Sequence, residues 1–245
     1  MVSGTLEPMQ AVIMVAGRGL RMGSLTDHTP KPMLQVLGKN LLEHKLDALP
    51  HMIDEVILVV GYLGSDIHKY FGGEYKGRRI LYVEQDRQAG TADALWQAKD
   101  ILHDRFLVLN GDDIYGARDL VELCAGSDWN LLVYTVSDTY SGGVVEVVGD
   151  YSIIADIVER EGVLLGDTAC TNAYVLDTRV FNAPLVPKSP ESPEFGLPQT
   201  VLAAAKQMNI PFHAVEADVW IQITSPHDLG KAEQIMNEVA KKDHS

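Results

Sequence analysis

Cysteine is almost missing from this sequence: 245 residues contain two, Cys124 and Cys170. That is too few for a disulfide framework, and no Cys-x-x-Cys pair offers a zinc site. A reduced, cytoplasmic protein is the simple reading. Long apolar runs are absent too. None reaches the ~18 residues of a membrane span, so no membrane association is expected. Residues 1–9 lack the charged-then-apolar pattern of a secretion signal and read as a leader that need not be ordered. Basic charge is also short. The formal net charge is −14, which argues against nucleic acid as a partner, because a phosphate backbone needs a basic footprint. A small anionic ligand is still allowed, since a few local cations can dominate inside a pocket. Internal repeats and low-complexity linkers are not found. Lys188–Pro193 is rich in Pro and Ser but short enough to be a loop.

What is present is an alternation of strands and helices. Ala11–Val15, Glu55–Val60, Arg79–Val83 and Phe106–Leu109 are apolar runs that read as buried strands. Between them, Asn40–Leu49, a segment capped by Ser65 that runs to Phe71, and a segment capped by Thr91 that runs to Leu102 read as helices. Four strand–helix alternations in about 110 residues indicate a doubly wound sheet. The second half is richer in β-type runs: Leu131–Val136, Val144–Val148, Ser152–Glu159 and Ala173–Leu176. Glu194–Met208 reads as a helix, Phe212–Ile223 as a strand pair and Pro226–Lys242 as a terminal helix. The expected fold is a three-layer α/β/α sandwich with a Rossmann-like, mixed, mostly parallel sheet. Residues 10–245 would form one domain, with a nucleotide-binding half over 10–115 and a second-substrate half over 116–245. A homo-oligomer is compatible with this sequence but is not encoded in it legibly.

The candidate site begins where the first strand stops. Ala16-Gly17-Arg18-Gly19-Leu20-Arg21 is a glycine-rich turn with two arginines, and Pro30-Lys31-Pro32 follows. Gly17 and Gly19 allow positive φ and close approach of backbone N–H groups to a ligand. The prolines brace Lys31 on a stiff, extended segment. Exposed N–H groups with Arg18, Arg21 and Lys31 would cradle a polyphosphate. Neither a Walker loop nor a dinucleotide fingerprint fits this spacing. In open α/β sheets ligands bind at the carboxyl ends of strands. Asp112 sits at such an end, where a carboxylate can hold Mg²⁺; Asp113 beside it should point elsewhere. Gln85, with one donor and one acceptor group, suits a pyrimidine edge. Gly90 would let a base lie on the backbone, and the helix start at Thr91 would add donors.

The run Ala16–Met33 resembles the signature of the sugar-1-phosphate nucleotidylyltransferases, also called NDP-sugar pyrophosphorylases. Leu20 stands for the family threonine and Val15 for its first alanine; neither change removes a backbone N–H. The likeness extends from Gln10 to about Lys242. It implies the nucleotide-diphospho-sugar transferase type of fold. It also implies transfer of a nucleoside monophosphate from an NTP, UTP or dTTP favoured, to a sugar 1-phosphate with release of pyrophosphate.

By this resemblance Lys31, Arg21 and Asp112 would be catalytic. Ala16, Gly17, Arg18, Gly19, Gln85, Gly90 and Thr91 would bind the nucleotide, and Asp93 would be an outer or exposed residue. Gly143, Glu159, Arg160 and Asn172 would hold the sugar phosphate, Arg160 standing for the family lysine. Asp112 and Gln222 would bind Mg²⁺. Gln222 replaces the usual aspartate in Trp220-Ile221-Gln222-Ile223-Thr224-Ser225-Pro226, and an amide supplies no charge to a metal. Two alternatives stay open: a non-catalytic, sugar-nucleotide-binding regulatory subunit, and a cytidylyltransferase acting on a non-sugar phosphate.

Overall fold

The first strand shows why the core has two sides. Along β1 (Met9–Met14) and into the residue after it, Ala11, Ile13 and Val15 enter one apolar cluster, while Val12 and Met14 enter another. Successive side chains of a strand face opposite ways, so a continuous apolar run means a strand covered on both faces. The computed structural model describes residues 8–126, 128–136, 140–149, 152–163 and 165–242. Most of the leader expected over 1–9 lies outside them.

The next strands in chain order are β2 (Gln35–Val36), β3 (Lys39–Asn40), β4 (Ile53–Val60), β5 (Glu74–Tyr75), β6 (Arg78–Glu84), β7 (Arg105–Asn110) and β8 (Asp113–Tyr115). They are followed by β9 (Trp129–Thr135), β10 (Tyr140–Val148), β11 (Ile153–Val163), β12 (Thr168–Asp177), β13 (Phe212–Glu216) and β14 (Trp220–Gln222). The helices are α1 (Leu41–Ala48), α2 (Gly64–Phe71), α3 (Thr91–Gln97), α4 (Ala117–Ala125), α5 (Leu197–Met208) and α6 (Pro226–Lys242).

Ten strands form one sheet in the order β10-β11-β13-β9-β12-β7-β1-β4-β6-β5. Its parallel part is β7-β1-β4-β6, so the carboxyl ends of these strands open on one edge. From β12 outward the pairing is antiparallel except between β13 and β9. Strand β12 pairs with β7, so strands from both sequence halves share the sheet. Buried residues of α1, α2 and α4 join the cluster on one face, those of α3 and α5 the cluster on the other. The three-layer expectation holds.

Local details differ from the sequence reading for identifiable reasons. Helix α1 starts on a capping box: the Asn40 side chain accepts from the Glu43 N–H at 2.8 Å, and Glu43 accepts from the Asn40 N–H at 2.9 Å. Ser65 does not cap α2, which begins one residue earlier behind Leu63 in a left-handed conformation. Helix α3 stops at Gln97 and continues in tighter turns, with the Ile101 N–H on the Ala98 carbonyl at 3.1 Å. Helix α4 was not anticipated. No helix among the described residues is long and apolar enough to cross a membrane. Asn40→Ala removes a cap acceptor and should cost about 1 kcal/mol of stability. Denaturant unfolding would show it; an unchanged midpoint would mean the box is not holding α1.

Candidate active site

Lys31 and Asp112 meet although 81 residues separate them in the chain; Lys31 Nζ lies 2.6 Å from Asp112 Oδ2. Lys31 is only 6% exposed, and burying an ammonium group is costly without a paired charge. Strand order supplies the partner. β1 and β7 are neighbours, so the loops after them emerge side by side. Lys31 opens a single 3-10 turn over Lys31–Met33, with Pro30 extended before it and Pro32 inside it. The bracing is a turn rather than the extended segment expected. Gly19 completes the support. It has φ +65°, and a Cβ there would lie 3.0 Å from Lys31 Cβ and 3.1 Å from Lys31 Cδ. The glycine turn thus packs against the lysine stem, and any side chain would displace it.

The pair lies in a cleft of about 340 Å³ at the carboxyl edge of the parallel strands. Ala16, Gly17, Gly19, Gln85, Gly90, Thr91, Glu159 and Asn172 also line it. Five predicted residues do not: Arg18, Arg21, Gly143, Arg160 and Gln222. Arg18 and Arg21 are exposed, and the Arg18 guanidinium lies 4.8 Å from the centre of the Tyr62 ring. Gly17 is not among the glycines with positive φ, and a Cβ there would meet nothing within 4 Å. Its contribution is open space, not the turn geometry expected.

Around Gly90 and Thr91, the helix start is already occupied. The Ala92 N–H donates to the Phe195 carbonyl at 3.1 Å, and the Thr91 hydroxyl accepts from the Leu197 N–H at 3.0 Å. Thr91 is therefore a tie between α3 and α5 rather than a cap. Gly90, with φ +105°, permits the closeness: a Cβ there would fall 2.3 Å from the Phe195 oxygen. Gln85 is 6% exposed, and its Nε2 donates to Asp93 Oδ2 at 2.8 Å and to the Gly90 carbonyl at 3.1 Å. Asp93 is thus bonded directly to the predicted base contact, not merely exposed.

On the other side, Glu159 of β11 pairs in register with Gly143 of β10, and a Cβ on Gly143 would lie 3.9 Å from Glu159 Oε1. Gly143 therefore adjoins the cleft through Glu159. Arg160, the next residue, belongs to the opposite face. Its guanidinium pairs with Glu146 at 3.2 Å, out in solvent. Strand alternation thus turns Arg160 away from the cleft that Glu159 lines, where the sequence led one to expect both. Asn172 reaches the cleft because β12 is irregular between Cys170 and Ala173, where Asn172 takes φ +58°. Tyr174 donates to its Oδ1 at 3.2 Å.

Several lining residues went unnoticed in the sequence. Gln88 donates to the Ala16 carbonyl at 3.2 Å. Lys188 and Gln199 line the far wall, and Gln199 Oε1 is buried without a partner among the described residues. None stood in a motif; loops bring in Gln88 and Lys188, and the first turn of α5 brings in Gln199. Lys45 did carry a signal, because it shares the inward stripe of Leu41, Leu42 and Leu46. It is 1% exposed, and so is Asp113. Burial drives the Lys45 ammonium down to about 8, opposed by the charges of Asp113 and Asp112. Burial, reinforced by the Asp112 charge, pushes the Asp113 carboxyl up to about 7. Lys45 and Asp113 thus extend the Lys31–Asp112 pair into a buried charged cluster beneath the cleft floor. Gln222 stands opposite Asp113 in the β14–β8 ladder, one residue from Asp112.

A strand-end glycine loop, a lysine and an aspartate thus converge at one edge of an α/β sheet. A family model described as nucleotidyl transferase matches residues 10–239, so the chain belongs to the nucleotidyl transferase family. One relative, the UTP–glucose-1-phosphate uridylyltransferase AglF of Haloferax volcanii, is 30% identical over 237 residues, covering 94% of this chain and 97% of that one. Another, the bifunctional protein GlmU of Methanococcus maripaludis, is 30% identical over 241 residues. This chain spans 56% of that protein's length, with 96% of its own matched. The inositol-1-phosphate CTP transferase from T. maritima superposes with a TM-score of 0.75 at 20% identity, covering 95% of this chain and 96% of that one. At that identity the likeness shows the fold alone.

Lys45→Met strips the cluster of one buried cation and should destabilise the protein by about 3 kcal/mol, because an uncompensated buried acid is left behind. Adding Asp113→Asn should recover part of the loss in a thermal-unfolding cycle. Additive losses would show that the two groups do not interact.

Proposed function

We propose that this chain joins a nucleoside triphosphate to a sugar 1-phosphate, forming an NDP-sugar and releasing pyrophosphate, with UTP or dTTP the favoured donor. The observation that carries the reading is the Lys31–Asp112 pair on the floor of the cleft, where the parallel strands end. Support comes from the relative AglF, named as a UTP–glucose-1-phosphate uridylyltransferase and matched along almost its whole length.

In this reading a phosphate oxygen of the sugar 1-phosphate attacks the α-phosphorus, and the bond to the bridging oxygen of pyrophosphate breaks. The attacking oxygen is already ionised, so no side chain needs to remove a proton. Positioning and charge neutralisation make up the catalysis. Lys31 neutralises charge at the α-phosphate. Backbone from Ala16 to Gly19 lies against the triphosphate, and Arg18 and Arg21, exposed on the same loop, take the β- and γ-phosphates. Gln85, Gly90 and Thr91 wall the base; Glu159 and Asn172 take sugar hydroxyls, with Gly143 keeping room beside Glu159. Lys188 replaces Arg160 as the cation on the sugar-phosphate side.

Asp112 fits Mg²⁺. Its side chain is 31% exposed, and Mg²⁺ binds through one or two carboxylates with the remaining ligands drawn from phosphates and water. The described residues include no cluster of three or more acidic, His or Cys side chains, so substrate oxygens would complete the shell. Gln222 contributes at most a neutral amide. Bound there, the ion would neutralise phosphate charge as pyrophosphate forms. Two buried free thiols, Cys124 and Cys170, suit the reducing cytoplasm proposed for the enzyme.

Lys31→Ala and Asp112→Ala should each lower kcat by about 10²–10³, whereas Arg160→Ala should stay within about twofold of wild type, as expected for an exposed ion pair. Pyrophosphate release over a panel of triphosphates and sugar phosphates measures this. A wild type that releases none in any combination would refute the reading.

A further inference from the structure

The amide of Gln85 has only one orientation open to it. Its Nε2 lies 2.8 Å from Asp93 Oδ2 and 3.1 Å from the Gly90 oxygen. A carboxylate and a carbonyl are acceptors only, so the nitrogen must face them; turned over, the amide would set oxygen against two oxygens. A carboxamide has two N–H bonds, and both are thereby committed. What the side chain can still offer a ligand is Oε1, an acceptor. Gln85 is buried and lines the cleft, whereas Asp93 is half-buried and does not line it.

We propose that Asp93 is a positioning residue for base choice: by clamping the nitrogen of Gln85 it presents a fixed acceptor, Oε1, to the base. The cleft then favours a base with a ring N–H beside a keto group over one whose ring nitrogen is an acceptor. Among pyrimidines that means uracil or thymine over cytosine. Without the carboxylate only the Gly90 carbonyl still opposes the turned amide, so it turns more readily and meets either pattern. With the clamp, a cytosine ring nitrogen faces a second acceptor, and both stay unpaired once the base covers them. Unpaired buried polar groups are what make such discrimination steep. The inference rests on the reading that this cleft binds the donor nucleotide. A structural role for Asp93 is also available, since it lies in the first turn of α3 where a carboxylate is favoured. The two roles make different predictions.

The test measures UTP and CTP affinities by titration calorimetry for wild type, Asp93→Ala and Asp93→Asn, with pyrophosphate release followed in parallel. Wild type should bind UTP at least about 100-fold more tightly than CTP. Asp93→Ala should shrink that ratio about tenfold or more, with CTP binding improving. Asp93→Asn should keep most of the ratio, because its Oδ1 can still accept from Gln85. Equal weakening of both nucleotides by Asp93→Ala, an unchanged ratio, or loss of the ratio in Asp93→Asn would overturn the inference. Selective binding by wild type with no pyrophosphate release from any sugar phosphate would overturn the transferase reading and leave the clamp standing. Failure of wild type to bind either nucleotide would overturn both.

Discussion

The ammonium group of Lys31 against the carboxylate of Asp112 is the interaction around which the site is arranged. A lysine 6% exposed at the end of a sheet needs a compensating charge, and the neighbouring strand end delivers it at 2.6 Å. Everything nearby serves that meeting. Parallel pairing of β1 with β7 brings the two loops together. Pro30 and Pro32 limit the backbone on either side of the lysine. Gly19 leaves room for its stem. Beneath, Lys45 and Asp113 are buried, and each feels the charges of Lys31 and Asp112. A phosphate brought to such a floor competes with Asp112 for a cation already in place, and the protein need not reorganise to supply it.

The cleft wall rests on a second constraint. Donors at the start of α3, which in isolation would be an anion site, are spent on the segment before α5. The Ala92 N–H bonds the Phe195 carbonyl, and the Thr91 hydroxyl takes the Leu197 N–H. Two helices from opposite sequence halves are thus locked at their N-termini, and this side of the cleft is a cross-linked wall. Gly90 is the residue that makes this contact sterically possible. The amide of Gln85 is held by the same corner, through Gly90 and Asp93.

Much of this was legible in the chain because it depends on local pattern. Apolar runs located the strands, and the residues at their carboxyl ends were then the candidates; Lys31, Asp112, Gln85, Gly90 and Thr91 do line one cleft. Glu159 and Asn172 were placed by resemblance to a family, and they line it too. What the sequence hid depends on register and on loops. Arg160 faces away from Glu159 because neighbours on a strand alternate, yet a motif written as two adjacent letters does not say which one faces inward. Asn172 reaches the cleft through an irregular stretch of β12, which no periodicity announces. Thr91 looked like a helix cap because threonine commonly is one, but its hydroxyl serves a backbone N–H 106 residues away. Lys45 was readable: a charge on an otherwise apolar helical stripe is a buried charge seeking a partner. Lys188 comes from a loop whose path the sequence pattern does not reveal, and Gln199 from a legible helix whose packing against the cleft was not legible.

The most direct test of this account is a crystal structure with a non-hydrolysable UTP analogue. The account predicts the triphosphate on the Lys31–Asp112 floor, with Lys31 Nζ within hydrogen-bond distance of an α-phosphate oxygen. A triphosphate bound elsewhere on the molecule, with Lys31 and Asp112 still joined only to each other, would contradict it.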